Sequence, residues 1–173
     1  MAGPLDLTGR SVVVTGGSRG LGRVIATTFM DAGADVLTCA RSEPDTLVTS
    51  TDGTREAAFV TADVRDPDQV ATVVAAAVDR SGRLDVLVNN AGGAPPAESA
   101  KASSGFNEKI FALNLMAPMN FCQAVHPIMS TQDGGGVIVN ISSVRGNPGA
   151  QPAGHGLRGS QGRAQKHDPD FGP

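Results

Sequence analysis

Apolar and polar residues follow one another along the chain in blocks that predict strands and helices in turn. Short apolar runs without polar interruption are typical of strands buried on both faces of a parallel sheet. Residues 11–15 contain such a run and predict the first strand, and four further stretches that are mainly apolar predict strands at residues 35–40, 57–62, 84–88 and 137–141. Between them, apolar residues recur at spacings of three and four, which predicts helices at residues 19–32, 66–81 and 104–129.

Turn and cap residues indicate where these elements begin and end. Asp66-Pro67-Asp68-Gln69 predicts a helix start, because Asp caps a helix, Pro fits its first turn and Gln can bond back. Gly82 predicts the end of the same helix. Pro118 lies inside the long helix and is expected to kink it or loosen a turn. The polar stretch 41–56 predicts only a short helix near residues 45–50.

The order of strands and helices predicts an α/β fold with a doubly wound parallel sheet and right-handed crossovers. Ligands bind such sheets beyond the carboxyl ends of the strands. Polar or glycine-rich stretches follow four of the predicted strands, at residues 16–22, 63–64, 89–92 and 142–143. This clustering predicts a nucleotide-binding site at that edge of the sheet.

The stretch Thr15-Gly16-Gly17-Ser18-Arg19-Gly20-Leu21-Gly22 joins the first strand to the first helix. Glycines let the backbone turn sharply and let a phosphate come close, and the N–H groups that begin a helix attract an anion. The spacing Gly-x-x-x-Gly-x-Gly differs from the commoner Gly-x-Gly-x-x-Gly fingerprint of dinucleotide-binding proteins. Taken alone, the turn is weak evidence for a nucleotide, because glycine-rich turns often serve only as tight connections.

Composition narrows the class of protein. The chain has 173 residues and a net charge of −3, which predicts one domain without the basic bias of a nucleic-acid partner. No signal pattern or membrane-length apolar run is present, so we expect a cytoplasmic protein. Cys39 and Cys122 have no metal-ligand spacing and are expected to be buried free thiols.

The character of the chain changes near its end. From Val144 onward, seven Gly and four Pro occur without apolar periodicity, which predicts a disordered tail. We therefore expect a cofactor-binding domain over residues 1–146 and a disordered tail over residues 147–173.

Three motifs occur together: Thr15-Gly16-x-x-x-Gly20-x-Gly22, Asn89-Asn90-Ala91-Gly92 and Asn140-Ile141-Ser142-Ser143. In this order and at these separations they resemble the short-chain dehydrogenase/reductase family, over about residues 5–146. The resemblance implies a Rossmann-type sheet of seven strands, of which five are recognisable here. It also implies reduction of carbonyls or oxidation of alcohols with NAD(P)(H).

The resemblance implies roles for individual residues. Asn114 matches an asparagine that holds a water in a proton relay, and Ser143 matches a serine that hydrogen-bonds the substrate oxygen. Asp63 and Val64 would contact the adenine. The cofactor as a whole would lie against Gly16, Ser18, Arg19, Gly20, Leu21, Gly22, Asp63, Val64, Asn90, Ala91 and Gly92.

Cofactor preference is indicated by the end of the second strand. An acid there bonds the ribose 2′-hydroxyl of NAD, whereas an arginine accommodates the 2′-phosphate of NADP. Here Arg41 follows the strand, no acid precedes Glu43, and Arg19 adds a second positive charge. We therefore predict NADP(H) in preference to NAD(H).

The resemblance breaks where the family places Tyr-x-x-x-Lys, about thirteen residues after the serine and therefore near Leu157. The chain contains no tyrosine, and Lys166 lies too far along to replace the lysine. General acid–base catalysis contributes about 10²–10⁴ in rate, so the ordinary reaction is expected to be lost.

A frameshift would account for this break. For residues 154–166, one permissible set of codons read one base later encodes Gly-Thr-Ala-Tyr-Gly-Ala-Ala-Lys. We therefore hypothesise a frameshift upstream of His155, which the nucleotide sequence tests. Three functions stay open: a carbonyl or alcohol oxidoreductase that is inactive as written, a non-catalytic NADP-binding module, and a non-functional fragment. The resemblance also implies a homo-oligomer, whose contacts in the family use the long helix at residues 104–129 and a second helix that is not recognisable here.

Overall fold

A computed structural model describes residues 5–94 and 102–143. The predicted tail, the boundary at residue 146 and the hypothesised frameshift lie outside these residues. Within the described residues, five strands and four α-helices follow one another, and a π-helical turn divides the predicted long helix into two of these helices. Their bounds are β1 Ser11–Thr15, α1 Gly20–Asp31, β2 Asp35–Ala40, β3 Ala58–Thr61, α2 Pro67–Ser81, β4 Val86–Asn89, α3 Ser104–Phe111, a π-helical turn Ala112–Met116, α4 Ala117–Met129 and β5 Val137–Asn140.

The strands form one parallel sheet in the order β3-β2-β1-β4-β5. This confirms the predicted α/β fold with a five-stranded, doubly wound sheet. From β1, the strands β2 and β3 are added in one direction, and β4 and β5 are added in the other. The strand order therefore reverses between β1 and β4. Such a reversal opens a crevice at the carboxyl ends of the two strands, where ligands of open α/β sheets bind.

Helices cover both faces of the sheet, so successive residues of β1 are buried against different helices. Val14 belongs to the cluster that contains Ala26 and Met30 of α1. Val13 belongs to the opposite cluster, with Val73 of α2 and Phe121 of α4. Burial on both faces explains why the inner strands are mainly apolar.

β5 is less well covered than the inner strands. Within the described ranges it pairs only with β4, and Val137 is 57% exposed. Ile138, Val139 and Ile141 are each more than a third exposed. β5 therefore presents an apolar edge in this part of the molecule. No helix within residues 5–94 and 102–143 combines the length and apolarity needed to cross a bilayer.

α2 begins as its cap residues predict. The Asp66 carboxylate accepts a hydrogen bond from the Asp68 N–H at 3.0 Å, and Pro67 is the first helical residue. Gln69 Nε2 donates to Asp66 Oδ2, while Gln69 Oε1 accepts from the Asp63 N–H at 2.8 Å. Gln69 therefore joins the helix start to the loop after β3. Gly82 ends the helix in the left-handed conformation at φ 69°.

Replacing Asp66 by alanine is expected to lower the free energy of unfolding by about 1 kcal/mol, because the first N–H groups of α2 lose their side-chain acceptor. Urea unfolding measures the change. Asp79→Ala is the matched control, since Asp79 is an exposed acid near the other end of the same helix. Equal effects of the two substitutions would contradict the capping role of Asp66.

The predicted short helix at residues 45–50 is wrong. Thr49 instead forms an antiparallel bridge with Glu56, and the Ser50 N–H donates to the Arg55 carbonyl at 3.0 Å. Asp52 stabilises the intervening turn by accepting hydrogen bonds from Ser50 and Thr54. Short polar side chains of this kind compete with helical hydrogen bonds, so the turn forms in place of the helix.

The predicted long helix is interrupted near its middle. Residues Ala112–Met116 form a π-helical turn, and the Ala117 N–H donates to the Ala112 carbonyl. Pro118 follows this turn and has no N–H of its own, so the loosened turn expected from the sequence is confirmed. Ala117, Phe121 and Val125 form the buried part of the predicted apolar stripe.

Candidate functional site

The predicted cofactor residues come together in one cleft at the carboxyl ends of the strands. Every predicted cofactor residue except Ser18 lines this cleft. The cleft has a volume of about 450 Å³ and lies where strand order reverses between β1 and β4. It is also lined by four residues that sequence reasoning missed, namely Cys39, Ala40, Arg65 and Leu113.

The glycine turn brings backbone close to this cleft. Gly16 and Gly20 adopt left-handed conformations with φ 65° and 55°, which side-chain-bearing residues rarely adopt. Gly22 is buried, and a Cβ added there would overlap the Gly16 carbonyl oxygen and the Asn90 side-chain amide. The turn can therefore keep this shape only with glycine at position 22.

α1 begins directly after the turn without a side-chain cap. Its N-cap residue, Arg19, has extended backbone and makes no side-chain capping hydrogen bond. The first helical residues, from Gly20 to Gly22, line the cleft. Uncapped N–H groups and the positive end of the helix dipole favour an anion at this position.

Asn90 joins the glycine turn to the loop after β4. Its side-chain Nδ2 donates to the Thr15 carbonyl at 2.9 Å and to the Gly16 carbonyl at 3.2 Å. The Thr15 hydroxyl oxygen in turn accepts from the Asn90 and Ala91 N–H groups at 3.0 and 2.9 Å. These bonds hold the two walls of the cleft at a set separation, a role that the motif alone did not reveal.

Asn114 holds the loop after β4 from its other side. Its Oδ1 accepts from the Gly93 N–H, and its Nδ2 donates to the Gly93 and Ile110 carbonyls, each at 2.9 Å. Asn114 lies in the π-helical turn, which points its amide at the loop. That Asn114 holds a water in a proton relay stays a prediction.

Ser143 lies three residues beyond the end of β5 and is exposed. The ends of β4 and β5 are joined next to it, because Asn89 Nδ2 donates to Asn140 Oδ1 at 2.9 Å. Ser143 is therefore at the carboxyl edge of the sheet, the same edge as the cleft. Its contact with a substrate oxygen stays a prediction.

Charge in the cleft comes from three arginines and one acid. Arg19, Arg41 and Arg65 line it together with Asp63. Hydrogen bonds from the Arg65 side chain are the main reason that the pKa of Asp63 lies below its usual value, and the charge of Arg41 lowers it further. The cleft therefore carries a net positive charge, which favours an anionic ligand.

Cys39 is fully buried at the end of β2, and burial raises the pKa of its thiol to about 12. The thiol is therefore neutral and unreactive at neutral pH. Cys122 is also free, as expected, but only partly buried. Residues 5–94 and 102–143 contain no cluster of His, Cys, Asp and Glu able to hold a metal ion.

The family model of the short-chain dehydrogenases matches residues 10–154. An uncharacterized oxidoreductase of Mycobacterium tuberculosis is 38% identical over 148 residues, which cover 84% of this chain and 56% of that protein. L-fucose dehydrogenase of Oryctolagus cuniculus is 36% identical over 86% of this chain and 52% of its own length. The chain thus spans about half the length of these relatives.

Solved structures that resemble this chain agree with these sequence comparisons. A crystal structure described as that of a short-chain alcohol dehydrogenase from Sinorhizobium meliloti superposes with a TM-score of 0.72 at 35% identity, covering 84% of this chain and 58% of that one. An NADH-dependent reductase complexed with NAD shares the fold at a TM-score of 0.76, 23% identity and coverage of 84% and 64%. The chain belongs to the short-chain dehydrogenase/reductase family of oxidoreductases, whose cofactors are NAD(P)(H).

Proposed function

We propose that the chain binds NADP(H) in this cleft, as the cofactor-binding part of an oxidoreductase that acts on a carbonyl or an alcohol. One observation carries the proposal. A glycine turn, an uncapped helix N-terminus and two arginines, which form no ion pair with any residue that the structure describes, line the cleft where strand order reverses. When bound, the dinucleotide supplies or accepts a hydride.

Each part of the dinucleotide has residues that suit it. Gly16, Gly20 and Gly22 line the cleft at the uncapped start of α1, a position that suits the pyrophosphate. Arg19 and Arg41 line the same cleft and have the forked donors that match a 2′-phosphate. The relatives support the reaction class, since those of known activity include L-fucose dehydrogenases. We also propose a cytoplasmic location, which free cysteines favour.

The absence of tyrosine favours a second function, in which the chain binds the cofactor without transferring hydride. The family's proton donor is a tyrosine, and none occurs among the 173 residues. A serine hydroxyl such as that of Ser143 is a weak proton donor when it is not activated. Incubation with NADPH and a panel of ketones separates the two functions, because only a chain that transfers hydride consumes NADPH above background.

Thermal unfolding with and without dinucleotide tests the proposed binding. A ligand at 100 times its Kd stabilises the folded state by about 2.7 kcal/mol, which raises the Tm of a domain of this size by about 5–10 °C. NADPH is expected to give such a shift, and NADH a smaller one at equal concentration. Absence of a shift with either dinucleotide would refute cofactor binding and leave a non-functional fragment as the account.

Replacing Arg41 by methionine is expected to weaken NADPH binding about tenfold, because one charge-assisted contact to the 2′-phosphate is lost. NADH binding should change little, since NADH has no phosphate at that position. Arg55→Met is the matched control, because Arg55 is exposed and does not line the cleft. Titration of each variant with both dinucleotides gives the result, and equal losses for NADPH and NADH would contradict the assigned contact.

A further inference from the structure

Arg65 occupies the whole carboxylate of Asp63. Its Nε donates to Asp63 Oδ1 at 2.9 Å and to Oδ2 at 3.1 Å, and its Nη2 donates to Oδ2. The Arg65 backbone N–H also donates to Oδ1, at 3.0 Å. A carboxylate offers about four lone-pair sites, so this one residue fills the acceptor capacity of Asp63.

Arg41 is the other arginine near this carboxylate. It lines the same cleft, and its charge contributes to the lowered pKa of Asp63. Within residues 5–94 and 102–143, however, the Arg41 guanidinium has no hydrogen bond or ion pair, whereas Arg65 is paired with Asp63. The arrangement therefore neutralises Asp63 with one arginine and leaves the second arginine free.

We propose that Arg65 determines specificity for the phosphorylated cofactor by neutralising Asp63 and thereby leaving Arg41 available to the 2′-phosphate. This inference rests on the proposed binding of NADP(H). Without Arg65, Asp63 would be an unpaired carboxylate beside the phosphate site. It would repel the phosphate and would compete with it for the guanidinium of Arg41. Neither effect acts on NADH, which lacks the phosphate.

A direct contact between Arg65 and the phosphate is the competing explanation, and a double variant separates the two. If Arg65 acts by neutralising Asp63, a protein without either charge has no carboxylate to repel the phosphate and needs no arginine to neutralise it. NADPH preference then returns in the protein with Asp63→Asn and Arg65→Met together. If Arg65 contacts the phosphate itself, the double variant stays as impaired as Arg65→Met alone.

The experiment measures the Kd of NADPH and of NADH for the wild type, Arg65→Met, Arg65→Lys and the double variant. The readout is the ratio of the two Kd values, because a lost contact with the adenine changes both equally. Arg65→Met is expected to reduce NADPH preference about fivefold to tenfold, and the double variant to restore it within about twofold. Arg65→Lys, which keeps the positive charge, should stay within about threefold of the wild type.

Arg80→Met is the matched control. Arg80 also pairs with an aspartate, Asp35, at 3.1 Å, but it does not line the cleft, so the ratio should not change. An unchanged ratio in Arg65→Met would overturn the inference while NADPH preference in the wild type still supports the proposed function. A double variant as impaired as the single one would overturn it in favour of direct contact. A wild type that binds neither dinucleotide, or both equally, would refute the proposed cofactor and the inference with it.

Discussion

Replacing Gly22 by alanine is expected to weaken NADPH binding by about 10- to 100-fold and to lower the free energy of unfolding by about 1–3 kcal/mol. The added methyl group would overlap the Gly16 carbonyl oxygen and the Asn90 side-chain amide. These two groups are themselves hydrogen-bonded at 3.2 Å, so relief of the overlap must move the glycine turn away from the loop after β4. Dinucleotide titration and urea unfolding measure the two effects.

Gly105→Ala is the matched control for this substitution. Gly105 lies in α3, and a Cβ added there meets no atom within 4 Å. Alanine should therefore stabilise that helix by up to about 1 kcal/mol, because it has the better helix propensity. NADPH binding should stay unchanged. Wild-type affinity in Gly22→Ala would show that the packing of the turn does not position the cofactor site.

Replacing Asp85 by asparagine is expected to cost about 2–3 kcal/mol of stability, because a nearly buried carboxylate loses the charge that accepts hydrogen bonds from two arginines. The Asp85 side chain is only 7% exposed and lies at the end of the sheet opposite the cleft. Its Oδ1 accepts from Arg10 at 2.8 Å and from Arg83 at 2.5 Å. Its Oδ2 accepts from Arg83 Nε at 2.7 Å and from the Ser11 N–H at 2.9 Å.

The same contacts predict how stability depends on pH. Burial alone would raise the pKa of Asp85, but hydrogen bonds from Arg83, Ser11 and Arg10 outweigh it and lower the pKa from 3.8 to about 2. The stabilisation is therefore fully present above the unfolded-state pKa near 3.8 and is lost as pH falls through about 2. Urea unfolding between pH 7 and pH 2 should show a loss of about 2 kcal/mol that is absent in Asp85→Asn.

Asp35→Asn is the control, because Asp35 pairs with Arg80 in a half-exposed ion pair. Such pairs contribute at most about 1 kcal/mol. A cost for Asp85→Asn as small as that for Asp35→Asn would contradict the role assigned to the buried carboxylate.

Elements with strong apolar patterns were predictable from the sequence. The predicted and observed bounds agree for β1 and β2, because a short, mainly apolar stretch between turn residues allows few other structures. The region between β2 and β3 was not predictable, because its structure depends on hydrogen bonds between side chains and backbone within a turn. Arg23 of α1 also holds this region from outside, by donating to the carbonyls of Thr46 and Leu47.

The candidate site likewise contains residues that were predictable from the sequence and residues that were not. Strand-end positions such as Gly16, Asp63 and Asn90 could be predicted together, since parallel strands bring their carboxyl ends to one edge of the sheet. Arg65 was missed, because a contact between residues two apart in a loop leaves no periodic signal. The bonds from Asn114 to Gly93 were missed because they depend on the π-helical turn and on a loop 21 residues earlier in the chain.

Calorimetric titration of the unmodified chain with NADPH and with NADH tests the central claim most directly. The account predicts saturable binding of NADPH at one site per chain, with a lower Kd for NADPH than for NADH. Weaker binding at higher ionic strength should accompany it, because arginines hold the phosphate. Absence of saturable binding, or equal Kd values for the two dinucleotides, would contradict an NADP(H) site in the cleft between β1 and β4.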